Sequence, residues 1–109
     1  MSFLEQDWRH LSRLKPLALD RLCRRILTEA QAIIAAAAEG EHHRVYLALY
    51  RHIEKSDRLI ADSFNDWSRS RAPFHLIVWR QHNLITDEEF AAFSPETRGF
   101  VENWLSQWS

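Results

Sequence analysis

The sequence predicts an all-α fold: a long antiparallel helix pair, a short N-terminal helix, and two or three short C-terminal helices, arranged as an orthogonal, irregular bundle. Three observations carry this. Apolar residues return every three or four positions along nearly the whole chain, the period of a helix with one buried face. Only 2 Gly and 3 Pro occur in 109 residues, too few for the tight turns of an all-β fold. Helix start and stop signals also stand between the periodic segments. The length suits one domain, spanning residues 1–109.

The first segment, Ser2 to Arg13, places Phe3, Leu4, Trp8 and Leu11 at helical spacing. Pro16 then reads as a break and as the first turn of a new helix, where its missing N–H costs nothing. The second helix runs to about Ala38 with a stripe of Leu19, Leu22, Cys23, Ile26, Ala30, Ile33 and Ala37. Asp20/Arg24 and Arg25/Glu29 lie four apart on its outer side. Gly40 supplies a left-handed stop. The third helix, His42 to about Ser70, carries Tyr46, Leu49, Tyr50, Ile53, Ile60, Phe64 and Trp67. The short Glu39–Glu41 link makes these two long helices antiparallel neighbours, and Arg69 and Arg71 suit the negative end of the longer one.

Ala72-Pro73 breaks the pattern, because the residue before Pro avoids helical angles. A short helix follows from about Pro73 to His82, with Asn83 as its left-handed stop. Thr86-Asp-Glu-Glu89 is a capping box, and Ile85 and Phe90 are placed for a hydrophobic staple. Ser94-Pro95 opens the last helix, with Ser94 as cap. Along it Phe100, Val101, Trp104, Leu105 and Trp108 face inward or toward a partner.

Apolar residues make up 46% and charged residues 27%, the balance of a folded chain. Cys23 is the sole cysteine, so no intrachain disulfide forms, and its place on the stripe predicts a buried, inert thiol. With no signal peptide and no apolar run longer than Ala32–Ala38, the expected compartment is the cytoplasm and no membrane partner is expected. The net charge of −1 is unevenly spread: residues 1–25 carry +3, residues 26–83 carry 0, and residues 84–109 carry −4. The two ends are expected to face each other, within one chain or across a dimer.

Chemistry-bearing motifs are sparse. No nucleophile elbow, phosphate loop or dinucleotide fingerprint occurs, so no catalytic residues are assigned. No cofactor is expected. No metal is expected either, because the six histidines lack paired ligand spacing. Nucleic acid is not an expected partner: the helix after the Asn83–Thr86 turn begins Asp-Glu-Glu, which repels DNA where bases would be read. Asp57 interrupts the apolar series Tyr46, Tyr50, Ile53, Ile60, Phe64, Trp67, so it is expected to be at least half buried and paired with a basic or hydrogen-bonding group, Arg80 or Arg24 for instance. An Arg/Asp site of a small helical enzyme is the functional version of that placement.

His52-Ile-Glu-Lys55-Ser56 resembles the histidine phosphotransfer domains, helical bundles with an exposed His on a long helix and a Lys three residues later. That resemblance implies phosphoryl acceptance on His52 beside Lys55. It departs at Ser56, where the family usually has Gly. The expected function is instead a non-enzymatic protein–protein interaction module, with a protein partner or a second copy. Aromatic side chains at the two ends, Phe3 and Trp8, and Phe100, Trp104 and Trp108, are the expected contact surface, and a homodimer through the C-terminal helix is expected.

Overall fold

The structure, a computed structural model, describes residues 3–108, and they form an all-α fold without strands. Helix α1 spans Glu5–Ala35, α2 His42–Phe64, α3 Ala72–Gln81, α4 Asp87–Ala91 and α5 Pro95–Trp108, with a 3₁₀ turn at Arg69–Arg71. Helices α1 and α2 form the expected antiparallel pair.

The separate N-terminal helix is not formed: Pro16 lies inside α1, which runs unbroken for 31 residues. Proline in a helix interior costs about 3 kcal/mol. One buried face passes straight through it, on Asp7, Leu11, Leu14, Ala18, Leu22, Ile26 and Ala30, while Pro16 itself points to solvent. Packing of that face offsets the lost hydrogen bond. Cys23 lies at the edge of this face and is half-buried rather than buried.

Helix α2 stops at Phe64, six residues before the expected end. Asn65 is extended and Asp66 takes the left-handed region at φ 55°. The Ser63 carbonyl, orphaned at the helix end, accepts from His75 Nδ1 at 2.9 Å and from Trp79 Nε1 at 3.0 Å. A carbonyl cannot donate, so His75 carries its proton on Nδ1; its Nε2 is buried without a partner.

Asn83 (φ 56°) is the expected left-handed stop after α3. Gly40 is left-handed too (φ 83°), but α1 already ends at Ala35 with Ala36 in the right-handed region, so Gly40 shapes the turn into α2 and does not stop α1. The Thr86 hydroxyl accepts from Glu89 N and the Glu89 carboxylate accepts from Thr86 N. The Ser94 hydroxyl accepts from Thr97 N.

The core gathers at one end of the molecule. It joins Leu11 to Ile26 of α1, Leu76, Ile77 and Trp79 of α3, Leu84, Ile85, Phe90 and Phe93 around α4, and Val101 of α5. Helix α2 gives it only Phe64, with Leu59 and Ile60 packed against it. Two α1 arginines clamp the α3–α4 turn. Arg25 donates to the His82 and Asn83 carbonyls, and Arg21 donates to the Leu84 carbonyl and both Glu89 oxygens. Arg25 is thus turned away from Glu29, its expected partner. The Arg21–Glu89 pair does join the basic N-terminal and acidic C-terminal segments within one chain. The overall shape is 56 × 25 × 23 Å with a radius of gyration of 17.0 Å, against about 13 Å for a compact domain of this length. The excess is the far half of the α1/α2 hairpin, which projects beyond the core.

Candidate functional site

The projecting hairpin is held by α1 and α2 packing on each other. Ala30 and Val45 are buried there but stand outside the core cluster. The α2 face turned to α1 is Val45, His52, Ser56 and Ser63, with Leu49 and Leu59 half-buried. Ser56 and Ser63 return their hydroxyls to the His52 and Leu59 carbonyls, so small polar residues line this contact without unpaired groups. His52 Nε2 donates to the Ile26 carbonyl at 3.0 Å. That bond ties the middle of α2 to α1.

At 100° per residue, the hairpin has two unlike sides. One is charged. A groove of about 460 Å³ runs along it, its charged lining Arg25, Glu29, Lys55, Arg58 and Asp62 joined by His52 and His82 and by the aliphatic Leu22, Ile26 and Leu59. The opposite side is apolar: the same rotation carries Leu27 and Ile34 of α1 and Tyr46 and Ile53 of α2 there, with Tyr50 on its outer edge. These five are exposed by 40–64%. They make up five of the nine large apolar side chains left open among the described residues. The other four, Leu4, Leu17, Phe74 and Trp108, lie on separate elements or separate turns. Isolated apolar residues at a surface are ordinary, whereas a contiguous patch marks a contact site.

Asp57 is exposed and makes no ion pair among the described residues, contrary to the expected burial. The series Tyr46, Tyr50, Ile53, Asp57 faces outward, so the carboxylate never enters the core. Neither expected partner pairs with it: Arg80 pairs with Asp87 and lies over the Phe90 ring, and Arg24 is exposed. No Arg/Asp site forms at Asp57.

The buried acid is Asp7, 1% exposed. It accepts from Ser94 N at 2.9 Å, Ser94 Oγ at 2.6 Å and Thr97 Oγ1 at 2.7 Å. The carboxylate therefore sits on the N-terminus of α5, where the helix dipole favours negative charge. The signal available in the sequence was position 7 in the four-and-three series ending at Ala30.

The aromatic ends behave differently from the expected contact surface. Phe3 is 4% exposed, a core residue and not a surface one. The Phe3 carbonyl accepts two bonds from Arg69, which also pairs with Glu5, and these draw the N-terminus onto the 3₁₀ turn. Trp8 packs on Trp67 at 5.3 Å, and Phe100 and Trp104 close the core margin. Only Trp108 stands clear of it.

His52 and Lys55 both line the charged groove, but His52 is half-buried and its Nε2 is engaged by Ile26. The freely presented histidine that the phosphotransfer resemblance requires is not formed. Among the described residues no three His, Cys, Asp or Glu converge as a metal-binding group, and no helix is long and apolar enough to cross a membrane. Comparison with protein-family models, curated proteins and solved structures found no match.

Proposed function

We propose that this chain is a protein–protein interaction module that works through the apolar side of its projecting α1/α2 hairpin. One observation carries the reading: the hairpin extends Leu27, Ile34, Tyr46, Tyr50 and Ile53 beyond the core on a single side. A two-helix layer cannot bury both of its faces by itself, and tyrosine-rich apolar patches are the usual anchors of interfaces. The charged opposite side keeps the hairpin soluble and directs contact to the apolar side. The surface differs from the aromatic ends expected from the sequence, while the class of function is the same.

The test is affinity purification of the wild-type chain beside an Ile34→Lys/Tyr46→Glu variant. Both positions are exposed, so circular dichroism, and Tm at a concentration where the wild type is monomeric, should be unchanged. Loss of the co-purifying protein, or of a second tagged copy, is the expected result. An identical set of bound proteins in both samples refutes the reading.

A further inference from the structure

We propose that the occupant of this apolar side is a second copy of the chain, its hairpin antiparallel to the first, with a two-fold axis passing near Tyr50. The inference rests on reading the hairpin as the interaction surface. Along the outward edge of α2, His43, Tyr46, Tyr50, Ile53 and Asp57 follow one another at spacings of three, four, three and four. That is the spacing of a helix–helix seam. The seam is apolar in its middle and ionisable at its ends. Tyr50 stands seven residues from His43 and seven from Asp57.

Reversing a copy about Tyr50 sets each His43 against Asp57 of the other copy, twice by symmetry, as an isologous contact requires. A parallel contact would instead set Asp57 beside Asp57. Both groups are available, because each is exposed and neither makes an ion pair among the described residues. The five exposed apolar side chains offer on the order of 500 Å² per copy. The flanks bring this toward the roughly 800 Å² that each partner gives a standard interface. The antiparallel arrangement completes a four-helix bundle from two two-helix layers. It also sends the two bulky core ends to opposite extremes, where they do not collide.

The experiment places the photo-crosslinker p-benzoylphenylalanine at position 50 of the full chain, in the organism that encodes it. Position 55, on the charged side, serves as control. A product of twice the 13.0 kDa chain mass at position 50 and not at 55 is expected. A product with a different protein overturns the second copy and leaves the hairpin as an interaction surface. No product overturns both. Sedimentation equilibrium then checks the register. Asp57→Lys and His43→Glu should each weaken the dimer by about 10-fold, and the double variant should return to within about 3-fold of wild type. A dimer indifferent to all three variants refutes the antiparallel pairing.

Discussion

The two halves of the α1/α2 hairpin are built from the same two helices and have opposite fates. From Leu11 to Ile26 the buried face of α1 is covered by α3, the α4 region and α5, and its aliphatic side chains are almost inaccessible. From Leu27 outward α1 has α2 alone, and side chains of similar apolarity lie open. Composition does not separate the halves; the number of covering elements does. A helix pair supplies one contact surface per helix, so any apolar residue outside that surface stays exposed until a third layer arrives. The near half finds that layer within the chain. The far half has none among the described residues, which is why the functional proposal is placed there.

The sharpest way to break this comparison is to exchange the roles of its two acids. Asp7 belongs to the near half and holds three hydrogen bonds in a dry site. Asp7→Ala leaves the Ser94 and Thr97 hydroxyls and the Ser94 N–H without their acceptor, at a cost of about 2–4 kcal/mol. Asp57→Ala, on the outward edge of α2 and exposed, removes no contact within the chain and should stay within about 0.5 kcal/mol. Urea denaturation of both variants, at a concentration where wild type is monomeric, checks this. Equal losses would mean that the two acids had been assigned to the wrong environments.

These acids also show how much was legible in the sequence. Local signals were read correctly where the chemistry is local. The Thr86–Glu89 box, the Asn83 stop and the Ser94-Pro95 start each depend on residues within four positions of one another. Pro16 signals a break locally, but its cost is outweighed by a buried face of seven residues from Asp7 to Ala30 that only tertiary packing rewards. Asp57 was misread because periodicity reports that one side of a helix is apolar and says nothing of what covers it. Helix α2 carries two such sides. The one that meets α1 is written in small and polar residues, Ser56 and Ser63 with His52, and has the weaker sequence signal. The hairpin surface is hidden for the same reason: Tyr46, Tyr50 and Ile53 stand on the predicted apolar stripe of α2, while Leu27 and Ile34 lie off the stripe of α1.

A smaller contrast separates two glutamates. Glu89 in the near half is held at about 2, well below its ordinary 4.5, first by the hydrogen bonds from Arg21 and further by the Thr86 backbone N–H, against the opposing effect of burial. Glu41 beside the hairpin loop is also lowered, by Arg44 and then by the Ala38 N–H, but at the surface. A carboxylate with a depressed folded value stabilises the fold above its ordinary value and loses that contribution as the pH falls through the folded one. For Glu89 the window runs from about 4.5 down to about 2. The stability difference between wild type and Glu89→Gln should therefore be constant above about pH 5.5 and shrink steadily toward pH 2. The matching difference for Glu41→Gln should be small throughout, since exposed pairs are screened by solvent. Urea midpoints at intervals across this range give both curves. A flat Glu89 curve would show that Arg21 does not hold the carboxylate in solution.

The smallest effect is expected at the exposed end of α5, and it decides between two surfaces for self-association. Trp108 is 70% exposed, and its ring lies 5.8 Å from Trp104 at a tilted 40°. Trp104 is half-buried against the core, so its role is already filled within the chain. Trp108 therefore gains only the edge of one ring, worth about 0.5–1.5 kcal/mol in a buried pair and less where water reaches both. Trp108→Ala should change stability by about 0.5 kcal/mol or less, within the usual range for surface positions. Under the hairpin reading it should leave the sedimentation profile unchanged, whereas Tyr50→Glu should shift it to monomer. If Trp108→Ala dissociates the protein and Tyr50→Glu does not, the contact lies on the C-terminal helix. The far half of the hairpin would then have to be stable with its apolar side in water, at odds with the rarity of open patches on monomeric surfaces.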